Sequence, residues 1–189
     1  MRRDSLMGKY KENVERHLLT AAEVHQMVQK AKRLQDKALV VLLWIFGCRI
    51  SEAIVLKKED IWTKDGKVFC SLPILKQRKR LVQPTHRLIV PEETPLIHYL
   101  LDQVNQTADG AYIFPGHEAD HLRRQRAWRL ISKLSDNRLF PHFFRHNRLN
   151  KLAEDGSSAL ELQSWAGWSD LRSAKSYLIR KPVEAKEIR

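Results

Sequence analysis

The sequence predicts a mainly α domain with a small antiparallel β-sheet, an α+β fold. Several segments show helical periodicity with clear start and stop signals, and residues 38–46 form a wholly apolar run that is typical of a buried central helix. After Asp60 the pattern changes to strand-like residues around residues 64–67, whose sequence Lys-Asp-Gly-Lys is typical of a turn. The chain has 189 residues, which is enough for one domain with a sizeable core.

The chain is strongly basic. Lysine and arginine exceed aspartate and glutamate by 34 − 22, a formal net charge of +12. This charge favours a polyanionic partner, either nucleic acid or an anionic membrane. The longest apolar run, residues 38–46, is far shorter than the ~20 residues that span a bilayer. No signal sequence follows Met1 either, so we expect nucleic acid and no membrane.

The two cysteines do not form a disulfide framework. Cys48 and Cys70 both lie among apolar or small neighbours, which predicts buried free thiols. Such thiols are consistent with a reducing compartment. We therefore expect an intracellular protein.

The N-terminal part predicts an arm followed by a helix. Residues 1–19 are polar and charged, and we interpret them as an arm or linker. Thr20 and Glu23 form a capping-box sequence. A helix of about four turns should follow and bury a stripe of apolar residues. These are Val24, Met27, Val28 and Ala31.

An arginine follows the apolar helix directly. Gly47 is expected to end that helix, and Ser51 and Glu52 open a short helix that continues to Leu56. Arg49 lies between them and needs a partner, because burying an unpaired guanidinium is costly. A structural salt bridge to Glu52 and binding of a phosphate group are both compatible with this position.

The predicted sheet contains two or three strands and a basic stretch. Residues 68–72 and 75–82 have strand-like composition on the C-terminal side of the turn. Four cations occur within residues 76–80, where they form either a solvated face or contacts to a DNA backbone. These cations are Lys76, Arg78, Lys79 and Arg80.

A zinc-protease pattern also occurs in the chain. Residues 92–104 predict an amphipathic helix, and the sequence from His117 to His121 then matches the HExxH motif. That chemistry needs both histidines one turn apart on a regular helix. Here the motif directly follows Pro115 and Gly116, so we interpret it as a chance match and predict no metal site. A metalloprotease remains the third hypothesis.

A basic helix follows. Residues 121–151 contain nine lysines or arginines and one acidic residue, Asp136. Apolar residues recur among these cations at helical spacing and predict a buried stripe below a basic face that attracts DNA. The stripe consists of Leu122, Trp128, Leu130, Ile131 and Leu134, and the predicted DNA-binding residues are Arg123, Arg124 and Arg126.

Residues 141–177 carry the side chains with the most chemistry. Pro141 can start a helix that places His142, Arg145 and His146 on one face. Asp155 and Gly156 should end this helix. Ser157 or Ser158 should begin the next one, which ends near Gly167, and Asp170 should begin a last short helix that holds Tyr177. A guanidinium binds phosphate oxygens through a planar fork of donors, and tyrosine can act as a covalent nucleophile. The segment therefore suits chemistry on a phosphodiester.

Three motifs resemble the catalytic domain of a tyrosine recombinase of the phage integrase family. The first extends from Gly47 through Arg49 and Glu52 to Leu56, followed by Asp60 and Ile61. The second is His142, Arg145 and His146, and the third is Gly167 and Trp168 with Tyr177 nine residues later. The resemblance covers nearly the whole chain, and we assign residues 20–182 to this catalytic domain and residues 183–189 to a tail with possible helical structure. The family's usual N-terminal DNA-binding domain is not expected within residues 1–19, and we therefore expect weaker and less site-specific DNA binding than a full-length enzyme shows.

The resemblance implies a role for each matching residue. Tyr177 would be the nucleophile, and Arg49 and Arg145 would clamp the non-bridging phosphate oxygens. Lys76 would protonate the leaving 5′ oxygen, with Lys79 as the alternative, and His142 would transfer protons around the tyrosine and the phosphate.

Three further residues have supporting roles. Trp168 stands where many relatives have histidine and some have tryptophan; its indole N–H can donate to a phosphate oxygen but cannot accept a proton. Glu52 would orient Arg49 or His142. His146 follows the family pattern, and a purely structural role in its helix stays open.

The implied activity is site-specific recombination or integration of DNA. Strands would be cleaved and rejoined through a 3′-phosphotyrosyl intermediate without a metal or another cofactor. The implied partners are double-stranded DNA and further copies of the chain in a synaptic complex, joined through the C-terminal segment. The implied source is a virus or mobile element, and the implied location is the cytoplasm or nucleoid of the host cell. The alternatives are an inactive DNA-binding relative and a type IB topoisomerase-like activity.

Overall fold

The computed structural model describes residues 19–73, 85–117 and 119–178. Its helices are α1 (Ala21–Lys30), α2 (Leu34–Phe46), α3 (Ile50–Ala53), α4 (Ile97–Gln106), α5 (Arg124–Leu134), α6 (Pro141–Glu154), α7 (Ala159–Ala166) and α8 (Arg172–Leu178), with a 3₁₀ turn at Lys58–Asp60. The strands β1 (Ile61–Lys64), β2 (Lys67–Pro73) and β3 (Thr85–Pro91) form an antiparallel sheet in that order. The predicted fold class is confirmed.

Helix α2 is the centre of the main core. Most of its side chains are fully buried, as expected from its apolar sequence, and it packs against α1, α4 and α6. Gly47 ends the helix in the left-handed conformation with φ of 59°. Because this φ favours glycine, the chain can turn sharply here and present Arg49 two residues later.

A second, smaller apolar cluster lies at the C-terminal side. It is formed by buried residues of α6, α7 and α8, and Trp165 and Tyr177 pack against it. Its buried members are Leu149, Ala153, Leu162, Ala166 and Ala174. Trp165 also packs against the main core. Helix α6 contributes to both clusters, so it connects the C-terminal helices to the rest of the domain.

Helix α1 begins as predicted but ends earlier. The Thr20 hydroxyl accepts the Glu23 N–H at 3.2 Å, and the Glu23 carboxylate accepts the Thr20 N–H at 2.9 Å. The helix contains 10 residues rather than about four turns, because Ala31 is extended, with ψ of 127°. This bend lets the chain reverse into α2.

The hairpin between β1 and β2 has the predicted turn. Asp65 and Gly66 both have positive φ, and Lys64 pairs with Lys67. The third strand, β3, was not assigned from the sequence. The predicted strand at residues 75–82 lies outside the described residues, together with its four cations.

Two helices differ from the predicted boundaries. Helix α4 begins at Ile97 rather than at residue 92, because Leu96 has a left-handed φ of 67°. Helix α3 ends at Ala53 rather than at Leu56. The predicted ends of α6 and α7 are confirmed, with Ser158 as the N-cap of α7 and Gly167, at φ of 61°, after its last turn.

The buried stripe of α5 is rotated from the prediction. Ala127, Ile131 and Leu134 are buried, but Trp128 is 50% exposed. Each helical residue is rotated by about 100° from the one before it, so burial of Ala127 turns the next side chain outwards. The expected burial of Trp128 is therefore wrong, and its indole lies on the basic face.

The described part of the HExxH match is not helical. His117, Asp120 and His121 lie in irregular chain before α5, which begins at Arg124. His121 Nδ1 lies 3.0 Å from the Leu122 carbonyl oxygen, and its ring packs edge-on against Tyr112. This geometry does not provide the one-turn helical spacing that zinc-protease chemistry needs.

Among the described residues, no helix is both long and apolar enough to cross a membrane.

Cys48 and Cys70 are free and buried, as predicted. Burial raises the pKa of both thiols.

We expect Gly47→Ala to lower the free energy of unfolding by about 2–5 kcal/mol. A left-handed alanine costs about 1–2 kcal/mol, and overpacking adds about 1–3 kcal/mol. The added Cβ would lie 2.7 Å from Arg148 Cβ. The measurement is urea denaturation followed by circular dichroism.

Gly110→Ala is the matched control. Gly110 has φ of 73°, and nothing lies within 4 Å of the added Cβ, so only the backbone strain should remain. Equal losses in the two variants would show that the contact between Gly47 and Arg148 is not tight.

Candidate active site

The guanidinium of Arg145 is buried between two helix ends. Its side chain projects from α6, and the residue is 4% exposed. One terminal nitrogen donates to the Gly47 carbonyl oxygen at 3.1 Å and the other to the Ala166 carbonyl oxygen at 2.6 Å. These carbonyls lie at the C-terminal ends of α2 and α7, which carry partial negative charge. The two helix ends therefore compensate the buried cation, and further guanidinium N–H groups remain for a ligand.

Arg49 forms a salt bridge with Glu52, which was one of the two interpretations of its position in the sequence. The guanidinium donates to the carboxylate at 2.5 Å, and the same carboxylate accepts the Arg49 backbone N–H at 2.8 Å. The Glu52 side chain is 2% exposed and that of Arg49 is 23% exposed. Glu52 thus fixes Arg49 while part of the Arg49 side chain stays accessible to solvent.

Arg49 and Arg145 lie close enough for their positive charges to interact. The pKa of Arg145 is lowered by burial and then by the positive charge of Arg49, and Glu52 acts in the opposite direction. Two guanidinium groups and one carboxylate leave a net charge of +1, counted as 2 − 1. A phosphodiester group carries one negative charge, so it would neutralise this arrangement.

Tyr177 is docked in this region. Its hydroxyl oxygen lies 2.6 Å from His146 Nδ1, and the two rings are stacked with centroids 5.8 Å apart. Trp168 covers another side of the tyrosine ring at 5.7 Å between centroids. The guanidinium carbon of Arg145 lies 5.8 Å from the Trp168 ring. Arginine, tryptophan, tyrosine and histidine thus form one continuous cluster.

His142 borders the cluster on α6. Its ring meets that of His146 edge to face at 4.5 Å, and its side chain remains accessible to solvent. Partial desolvation, and then the positive charges of Arg145 and Arg49, lower its pKa. Burial, and then His142 and Arg145, lower the pKa of His146 to about 4. Both imidazoles are therefore neutral at pH 7 and can accept a proton.

A supporting contact joins the helices behind the arginines. The Trp165 indole N–H donates to the Phe46 carbonyl oxygen at 2.9 Å. The guanidinium carbon of Arg148 lies 4.8 Å from the Trp165 ring. Gly47 lies against the Arg148 side chain, so α2, α6 and α7 meet at this point.

The structure brings together seven of the predicted residues. They are Arg49, Glu52, His142, Arg145, His146, Trp168 and Tyr177. The predicted Lys76, Arg78, Lys79 and Arg80 lie outside the described residues. Arg123, Arg124 and Arg126 are exposed at the start of α5, as a DNA-binding face requires.

Sequence reasoning missed two features of the site. It did not identify the carbonyls of Gly47 and Ala166 as the partners of Arg145, although Gly47 and Gly167 marked the ends of the two helices. It also assigned proton transfer at the tyrosine to His142, whereas His146 makes the contact to Tyr177. The helical spacing placed both histidines on one face and could not show which of them meets α8.

The fold and this cluster define the class of tyrosine recombinase catalytic domains. The model of the phage integrase family matches residues 17–182. The chain therefore belongs to the phage integrase family, which confirms the predicted family.

Two curated relatives illustrate the similarity. Tyrosine recombinase XerD of Halalkalibacterium halodurans is 25% identical over 169 residues, which cover 84% of this chain and 56% of the relative. The type 1 fimbriae regulatory protein FimE of Escherichia coli K12 is 27% identical over 173 residues, which cover 86% of this chain and 85% of the relative. The chain thus spans about half the length of XerD and most of FimE.

Solved structures show the same fold. The XerH site-specific recombinase bound to difH substrate, in a pre-cleavage complex, matches with a TM-score of 0.68 and 15% identity, over 85% of this chain and 50% of that one. The Tn1549 transposon integrase in complex with circular intermediate DNA matches with a TM-score of 0.64 and 16% identity, over 88% and 62%.

We expect Glu52→Gln to lower the free energy of unfolding by about 1–3 kcal/mol, because it leaves the Arg49 guanidinium without its buried counter-charge. The glutamine keeps the shape of the side chain. Urea denaturation gives the difference.

Glu161→Gln is the matched control for Glu52→Gln. Glu161 has the same capping position in α7 and accepts the Ser158 backbone N–H at 2.7 Å, but it lies at the exposed surface without an arginine partner. A loss for Glu161→Gln as large as that for Glu52→Gln would assign the effect to helix capping rather than to the ion pair.

Proposed function

We propose that the chain cleaves and rejoins DNA strands as a site-specific tyrosine recombinase. One observation carries this proposal. Arg49, Arg145 and Tyr177 come from three distant segments and meet in one cluster with a net positive charge. A phosphodiester bound by the two guanidinium groups would lie beside the tyrosine hydroxyl.

The chemistry follows from these groups. The Tyr177 oxygen attacks the phosphorus, and Arg49 and Arg145 stabilise the negative charge that grows on the non-bridging oxygens. The bond to the 5′ oxygen breaks, and a 3′-phosphotyrosyl bond conserves its energy for rejoining. Trp168 can donate its indole N–H to a phosphate oxygen. In this proposal Lys76, with Lys79 as the alternative, protonates the 5′ oxygen.

DNA is the proposed substrate on two grounds. The recombinase and integrase structures with the same fold, XerH and the Tn1549 integrase, contain DNA. In this chain the start of α5 exposes Arg123, Arg124 and Arg126. These cations suit the phosphate backbone on either side of the cleavage point.

Three further expectations, on the domain, the assembly and the location of the protein, are part of this proposal. Residues 20–182 would form the catalytic domain, further copies would join a synaptic complex through the C-terminal segment, and the protein would act inside the cell. A topoisomerase-like activity shares the same chemistry. Recombination between two DNA sites, rather than relaxation of supercoiled DNA, distinguishes the main proposal.

Tyr177→Phe should retain DNA binding and abolish covalent attachment to DNA, since it removes one hydroxyl and keeps the ring between His146 and Trp168. The measurement uses a suicide substrate with a nick near the cleavage point and a denaturing gel. Wild type should form the adduct in the presence of EDTA.

Tyr99 lies in α4 and packs against the main core, away from the cluster around Tyr177. Tyr99→Phe therefore serves as the control for the loss of a hydroxyl elsewhere, and its adduct yield should equal that of wild type. If Tyr177→Phe still formed an adduct, another residue would be the nucleophile. If wild type formed none while binding DNA, the chain would be the inactive DNA-binding relative.

Replacement of Arg123, Arg124 and Arg126 by glutamine should weaken DNA binding and flatten its salt dependence. Each lost phosphate contact reduces the slope of log K against log salt by about 1. Fluorescence anisotropy at several salt concentrations measures the slope.

Lys151→Gln is the control for the loss of one positive charge. Its ammonium is already paired with Asp155 at 2.7 Å, so its removal should change the slope less. An unchanged slope in the triple variant would place the DNA on another face.

A further inference from the structure

His146 is the side chain that contacts the hydroxyl of Tyr177. The distance from Nδ1 to the hydroxyl oxygen is 2.6 Å, and the rings lie at 24° to each other. A neutral imidazole accepts a hydrogen bond through its unprotonated nitrogen. The contact therefore suits an acceptor of the phenolic proton, a role that the family resemblance gave to His142.

We propose that His146 is a catalytic residue whose Nδ1 accepts the proton of Tyr177 during strand cleavage and returns it during rejoining. This inference rests on the proposed function. It assigns to His146 a chemical role rather than the structural role in its helix that the sequence left open.

Protons balance in both the cleavage step and the rejoining step. In cleavage the O–H bond of Tyr177 breaks, its proton moves to Nδ1, and the phenolic oxygen bonds to phosphorus. The bond from phosphorus to the 5′ oxygen breaks, and that oxygen takes a proton from the separate acid, proposed as Lys76. In rejoining, the 5′ hydroxyl attacks phosphorus and returns its proton to this acid. The imidazolium of His146 then reprotonates the departing tyrosine.

The surrounding charges would couple this proton transfer to DNA binding. His142 and Arg145 of α6 and Tyr177 of α8 surround His146, and Arg49 adds its charge to His142 and Arg145. Together with burial, His142 and Arg145 hold the pKa of His146 at about 4 without DNA. A phosphate anion between the arginines offsets their charge and favours the imidazolium. The base thus becomes stronger when the substrate is bound.

His142 has a different position. It remains accessible to solvent and meets His146 edge to face at 4.5 Å. From there it can exchange protons with water and with the phosphate. The two histidines can therefore have different roles, and His146 is the one that contacts the nucleophile.

The first test is the tautomer of His146. Nitrogen-15 NMR of labelled protein at pH 7 should show Nδ1 unprotonated and Nε2 protonated. Tyr177→Phe assigns the signal, because loss of the hydroxyl should shift Nδ1. A proton on Nδ1 at pH 7 would overturn the proposal, and this readout does not depend on DNA cleavage.

The second test measures deprotonation of the nucleophile separately from protonation of the leaving group. The suicide substrate carries sulfur in place of the leaving 5′ oxygen, and a thiolate, with a thiol pKa of ~8.5, leaves without an acid. His146→Asn keeps a hydrogen-bonding group near the position of Nδ1 but removes the base. The matched variant is His142→Asn on the same face of α6.

Single-turnover adduct formation is followed from pH 6.5 to 8.5. The wild-type rate should vary little with pH. His142→Asn should keep this flat profile whatever its absolute rate, because the base that contacts Tyr177 is still present. His146→Asn should be slower by about 10²–10⁴-fold at pH 7. Its rate should rise about tenfold per pH unit, because it then depends on the phenolate fraction of a group with pKa ~10.

The outcomes separate the two proposals. A flat profile for His146→Asn, at a rate near that of wild type, would show that His146 only positions the tyrosine. A steep profile for His142→Asn instead would return the role to His142. Absence of any adduct in wild type would refute the proposed function, while the tautomer measurement would still decide whether Nδ1 is an acceptor.

Discussion

The burial of one guanidinium between two helix ends connects the parts of this molecule. Arg145 donates to the carbonyl of Gly47, the residue that caps α2 in the main core, and to that of Ala166, the last residue of α7 in the smaller C-terminal cluster. Burying a cation without compensation is costly, and here carbonyl dipoles provide most of the direct contacts. The same side chain is a proposed phosphate ligand. In the proposed function, stability and substrate binding would therefore depend on the same group, and a change in the packing of α7 would also move the guanidinium.

Local signals in the sequence were sufficient for much of the fold. The apolar run, the capping boxes and the glycines at the ends of α2 and α7 each act within a few residues, so the elements they define could be predicted. The exposure of Trp128 could not, because it depends on how α5 is rotated against α1, α3 and α6. Strand β3 was missed as well, although Leu88, Ile89 and Val90 are typical strand residues; only its pairing with β2 shows that it completes the sheet.

The candidate site, like the fold, could be predicted from the sequence only in part. The motifs identified the arginines, the histidines and Tyr177, because these residue types have few other reasons to occur in that order. The partners of Arg145 could not be identified, since a backbone carbonyl has no signature in the sequence. The choice between His142 and His146 depends on where α8 packs, which is set by tertiary contacts such as the burial of Ala174.

The electrostatics explain why such a site needs its substrate in order to function. Without DNA, burial and then nearby positive charge lower the pKa values of both histidines: Arg145 and Arg49 act on His142, and His142 and Arg145 act on His146. Tyr177 is held by a neutral imidazole. A phenol with a pKa near ~10 loses its proton to such a weak base only at a high cost in free energy. A phosphodiester changes both sides of this balance, since it offsets the arginine charges and provides the phosphorus that the phenolic oxygen attacks. In the proposed function, the positive charge that would bind the phosphate also keeps the pKa of His146 low, so this base would stay weak until DNA is bound.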